Sequence, residues 1–83
     1  MSYHTKDDVI KLLNSEICLL TGIPHHEIGP TTNFIQFGIS SIQTITILNK
    51  VKKKLGVDIN LFAMFEYKNI DQLSDYLATF LEQ

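Results

Sequence analysis

Turn-forming residues crowd the stretch from Gly22 to Ser40, where Gly22, Pro24, Gly29, Pro30, Asn33 and Gly38 fall close together. No long helix or strand crosses such a stretch, because proline has no backbone N–H and glycine favours turn conformations. The chain is therefore divided into a segment before a long loop and a longer segment after it. A loop of this length inside a small domain needs anchors of its own. Ile23, Ile28, Phe34, Ile35 and Phe37 are expected to supply them, with Phe34 and Phe37 pinning the loop where the next helix begins.

Both flanks carry helical periodicity. Thr5 is a plausible N-cap, and Asp7 and Asp8 suit the positive first turn of a helix. Val9, Leu12, Leu13, Ile17 and Leu20 then recur on one face, with Lys11, Asn14 and Ser15 on the solvent side. Beyond the loop, a second helix is predicted from Ser41 to Leu55. Its inner stripe is Ile42, Ile45, Leu48, Val51 and Leu55, widened by Ile47. Lys50, Lys52, Lys53 and Lys54 gather toward its negative end, and Gly56 stops it. A short helix or turn over Leu61–Glu66 is expected to bury Leu61, Phe62 and Phe65. Asn69 then caps a last helix that carries Ile70, Leu73, Leu77, Phe80 and Leu81 inward. The expected fold is all-α: a four-helix bundle of three main helices, one short helix and a long first loop, forming one domain over 1–83.

Size and charge narrow the function. A chain of 83 residues buries only about 60–65% of its unfolded surface, which leaves little room for a deep catalytic pocket. Its seven basic residues are all lysine, and nine acids bring the net charge to −2. Without arginine, the usual bidentate reader of phosphate and guanine, a nucleic-acid partner is disfavoured. The lysine cluster is better explained as a solvated helix end, since no aromatic readers interleave it. The single cysteine, Cys18, excludes an internal disulfide and a cysteine zinc site, and its place in a helical apolar pattern suits a small buried side chain. His25, His26 and Glu27 are expected to be a solvated loop group, because adjacent histidines do not both face one ion. No stretch is long enough to span a membrane, and the opening Met-Ser-Tyr-His-Thr-Lys is unlike a signal peptide, so a cytoplasmic setting is expected.

The segment with chemical content is Phe34-Ile35-Gln36-Phe37-Gly38-Ile39-Ser40-Ser41-Ile42. It places a flexible glycine and then two serines at the entrance of an amphipathic helix. Ser40 with Gln43 fits the capping box, in which hydroxyl and amide side chains each satisfy a free backbone N–H. Ser41 then takes the first helical position with its hydroxyl uncommitted, beside a helix end that suits a phosphate or phosphodiester. A regulatory phosphoserine would be served by the same local chemistry.

This segment resembles the phosphopantetheine attachment motif of acyl and peptidyl carrier proteins, commonly Phe-x-x-Leu-Gly-x-Asp-Ser-Leu/Ile. Leu20-Thr21-Gly22-Ile23-Pro24, Leu55-Gly56-Val57-Asp58-Ile59 and the ending Phe65-Glu66-Tyr67-Lys68-Asn69-Ile70 with Tyr76-Leu77 are also similar to carriers of modular polyketide or hybrid polyketide/non-ribosomal peptide synthases. The resemblance implies a non-catalytic, monomeric carrier. Ser41 would bear a covalent 4′-phosphopantetheine donated by coenzyme A, on which biosynthetic intermediates ride as thioesters. It implies as partners a phosphopantetheinyl transferase and ketosynthase, acyltransferase, condensation or other synthase domains, read through the second helix with Gln43, Thr44 and Asn49 outward. The alternative is an unmodified helical interaction module derived from the carrier fold. Two departures stand out: Ser40 replaces the usual aspartate, and no acid occurs between Glu27 and Asp58. The tryptophan associated with β-branching carriers would fall near Ile47, and its absence argues against that role.

Overall fold

In the computed structural model, which describes residues 5–81, Thr5 opens the first helix through a reciprocal cap. Its hydroxyl accepts from Asp8 N at 3.3 Å, and the Asp8 carboxylate accepts from Thr5 N at 3.3 Å. Helix α1 runs Lys6–Thr21, α2 Ser41–Leu55, α3 Ala63–Glu66 and α4 Ile70–Leu81, with short 3-10 turns at His25–Glu27 and Phe34–Phe37. Three main helices, one short helix and a long first loop are as expected, and no strand occurs among the described residues. The opening residues 1–4, whose composition bore on the signal-peptide reading, lie outside the described residues, as do 82–83. No described helix is long and apolar enough to cross a membrane.

The core is a single cluster in which Val9, Leu13 and Ile17 of α1 meet Leu48 and Val51 of α2 and Leu73 and Leu77 of α4. Helix α1 packs chiefly on α4 and next on α2. The long loop is held by Ile28 and Phe34, both buried, and by Ile39, which the sequence reading did not select. Two backbone bonds tie it to the approach of α4: Phe34 N donates to Lys68 O and Asp71 N to Pro30 O, each at 2.9 Å. Ile23 and Phe37 pack at the cluster's edge.

Several apolar residues expected inside are outside. The buried face of α2 is Thr44, Ile47, Leu48 and Val51. Ile42 lies about one and a half turns before the Ile47–Leu48 pair, hence on the opposite side, and is 78% exposed. Thr44, expected outward, faces in because it shares the i, i+3, i+4, i+7 row. Ile35 is 76% exposed because the 3-10 turn spends its one inward position on Phe34. In α3 the inward positions go to Ala63 and Met64, leaving Phe62 and Phe65 at 60% and 45% exposure. Leu20, at the last turn of α1, is also partly exposed.

One buried group was not foreseen. Glu16 is only 3% exposed and accepts a 2.8 Å hydrogen bond from Lys54 Nζ at the far end of α2. A buried carboxylate is tolerated only with such a partner, and removing the partner is costlier than removing both charges. Lys54→Met is therefore expected to destabilise by about 1–3 kcal/mol, the half-exposed lysine lowering the figure for a fully buried pair. Glu16→Leu is expected to be close to neutral. Urea unfolding of the two variants checks the order, and the reverse order would remove this account. At the other end, Lys6 bridges Asp71 and Asp75 of α4, each at 2.8 Å, and these carboxylates raise its pKa above the ordinary lysine value.

Candidate functional site

The site begins with a turn that glycine makes possible. The Phe34–Phe37 turn is capped by Asn33, whose Oδ1 accepts from Ile35 N at 3.0 Å. It ends at Gly38 with φ of 77°, in the left-handed region, where Gly38 N donates to Ile35 O at 3.0 Å. A Cβ added at Gly38 would meet nothing within 4 Å, so the cost of a side chain there lies in the backbone. Gly38→Ala is accordingly expected to destabilise by about 1–2 kcal/mol, read as a lowered thermal midpoint with the helical circular-dichroism spectrum retained.

Beyond Gly38 the chain buries Ile39 and enters α2 through Ser40. The predicted capping box is present. Ser40 Oγ accepts from Gln43 N at 3.2 Å, and Gln43 Oε1 accepts from Ser40 N at 2.8 Å. Ser41 occupies the first helical position and is exposed. Its carbonyl accepts from Thr44 Oγ1 at 2.6 Å, while its hydroxyl makes no hydrogen bond among the described residues. The backbone N–H groups of Ser41 and Ile42 also find no acceptor there. The helix entrance thus leaves one free hydroxyl and two free donors together.

Next to them lies an open cavity of about 320 Å³ between the start of α2, the Phe34–Phe37 turn and α3. Ile35, Ile39, Met64 and Phe65 form its apolar wall, Ser41 and Thr44 its α2 side, and Asn33 and Lys68 add polar groups. Sequence reasoning had singled out Ser41 but had not joined it to Ile39, Thr44 or Lys68, which share the wall only through tertiary packing. Among the described residues, no acid, histidine or cysteine lines the cavity. His25, His26 and Glu27 are exposed on their own turn, and no group of three or more metal-ligating side chains exists among the described residues.

The family described as "Phosphopantetheine attachment site" matches residues 11–77, most of the chain. The chain belongs to this family. It is 34% identical over 64 residues to the non-reducing polyketide synthase atnG of Arthrinium sp, covering 75% of this chain and 3% of that protein. It is 35% identical over 51 residues to gramicidin S synthase 2 of Brevibacillus brevis, covering 61% of this chain and 1% of that one. The chain therefore spans only a few hundredths of the length of these relatives. Its fold is shared with a free-standing peptidyl carrier protein from a secondary metabolic pathway of Acinetobacter baumannii. That likeness has a TM-score of 0.84 at 16% identity and covers 93% of this chain and 96% of the other.

As a phosphopantetheine carrier domain, the chain takes its cofactor covalently. The site accommodates such a group: the free hydroxyl at Ser41 is accessible, free N–H donors suit an attached phosphate, and the apolar cavity beside it has room for part of a flexible arm. Bound to a carrier, phosphopantetheine supplies a terminal thiol for thioester chemistry on a long tether.

Proposed function

We propose that Ser41 is the attachment residue, and that the domain over 1–83 presents acyl or aminoacyl intermediates of a polyketide or hybrid polyketide/peptide pathway to partner enzymes. The observation that carries this reading is the division of labour between neighbouring serines. Ser40 Oγ is engaged as the cap of α2, whereas Ser41 Oγ is exposed and unengaged. The domain's own contribution is to hold that hydroxyl at a rigid helix entrance where a phosphopantetheinyl transferase can reach it. Tethering then raises the effective concentration of the cargo at ketosynthase, acyltransferase or condensation domains, to millimolar levels for short flexible linkers. The chain needs no catalytic group for this.

Intact-mass spectrometry of the protein incubated with coenzyme A and a broad-specificity transferase tests the proposal. One added arm is expected, and fragmentation of the modified peptide is expected to place it on Ser41. An arm on Ser40 would reassign the site. A protein that stays unmodified would favour the unmodified interaction module instead.

A further inference from the structure

Among the described residues, Lys68 is the only ionisable one on the wall of the Ser41 cavity. Its backbone is fixed there, because Lys68 O accepts from Phe34 N at 2.9 Å across the loop. Its side chain is exposed and forms no ion pair among the described residues, unlike Lys6, Lys52 and Lys54, each of which bridges to a carboxylate. The lysines of α2 offer no substitute. The nearest in sequence, Lys50, is nine residues along the helix from Ser41, or about 13 Å at 1.5 Å per residue. A free ammonium on a flexible four-carbon stem, rooted in a fixed backbone position, therefore faces the space into which a group on Ser41 would extend.

We propose that Lys68 is a positioning residue that pairs with the phosphodiester of an arm attached at Ser41 and draws the arm over the α3 side of the cavity. The inference rests on Ser41 being the attachment residue. A phosphodiester carries one negative charge throughout the physiological pH range. With Ser40 and Gln43 neutral and no acid among the described residues that line the cavity, no carboxylate of that wall competes with it for Lys68. The contact is a charge-assisted hydrogen bond at a water-exposed site, so it biases the arm's orientation by about two- to five-fold rather than locking it. Met64 and Phe65 then lie under the first part of the arm.

The test uses the loaded domain, with loading verified by intact mass. Phosphorus NMR follows the phosphodiester resonance as salt rises from about 0.01 to 1 M, over which the screening length falls from roughly 30 Å to 3 Å. Wild type is expected to show a salt-dependent displacement that Lys68→Gln loses and Lys68→Arg keeps. Lys53→Gln, the same change of charge at the far end of α2, is expected to leave it in place. Superimposable salt curves for wild type and Lys68→Gln overturn the inference and leave Ser41 as the attachment residue. A chain that accepts no arm on Ser41 overturns both.

Discussion

Ser41→Ala is expected to accept no arm at all, while Ser40→Ala still accepts one, in the same transferase assay read by intact mass. The contrast follows from what each hydroxyl does in the folded chain. Removing the Ser41 hydroxyl deletes the proposed attachment oxygen but breaks no hydrogen bond among the described residues, because Thr44 Oγ1 donates to the Ser41 backbone carbonyl and not to its hydroxyl. Its stability is therefore expected to stay within about 0.5 kcal/mol of wild type. Removing the Ser40 hydroxyl leaves Gln43 N without its acceptor and ends the capping box. That loss is expected to cost about 1 kcal/mol of stability. The pair of variants thus crosses over: one is stable and unloadable, the other loadable and less stable. Loading of Ser41→Ala, or equal loss in both variants, would show that the two roles are not divided as the geometry indicates.

Leu13→Ala is expected to have the largest effect on the fold. Leu13 is fully buried at the centre of α1, in the cluster shared with α2 and α4. Truncating a leucine in such a position loses its transfer free energy and leaves a cavity, together about 2–5 kcal/mol. A domain of this size stands near the lower end of ordinary stability, about 5 kcal/mol, so the variant loses a large part of what it has. At roughly 4–8 °C per kcal/mol, its thermal midpoint is expected to fall by about 8 °C or more. Ile42→Ala serves as the comparison: it truncates an apolar residue that helical spacing places on the inner stripe of α2, yet that side chain is exposed, and a change within about 0.5 kcal/mol is expected. Similar losses in the two variants would contradict the packing described above.

Where the motif that this segment resembles has aspartate, this chain has Ser40, and Ser40 caps the helix. Its hydroxyl makes the cap, and Gln43 completes it. The difference is electrostatic: one negative charge is absent next to Ser41, on a helix that carries no acid and several lysines. The cavity wall also carries Lys68. Without that acid, Lys68 is the one ionisable group among the described residues of the cavity wall, a setting that favours an attached phosphodiester.

The sequence by itself determined the features that depend on a few neighbouring residues. The ends of α2 at Ser41 and Leu55, the Ser40–Gln43 cap, the αL stops at Gly22 and Gly56, and the Asn69 cap, whose Oδ1 accepts from Gln72 N at 2.8 Å, all involve partners within one turn. Helical spacing also located the deeply buried positions Val9, Leu13, Ile17, Leu48, Val51, Leu73 and Leu77. It did not determine which of two apolar faces on a short element turns inward. Ile42, Ile35, Phe62 and Phe65 are apolar but exposed because other residues already fill the space between the helices, and Thr44 is buried because it shares the inward row of Ile47, Leu48 and Val51. Nor did spacing reveal the Glu16–Lys54 pair, whose members are 38 residues apart, or the Phe34–Lys68 bond beside the cavity that Lys68 lines with Ser41. Caps and stops are legible locally because their hydrogen bonds close within the chain segment itself. The cavity beside Ser41 is not, because its walls come from three segments whose meeting is decided only when the helices pack.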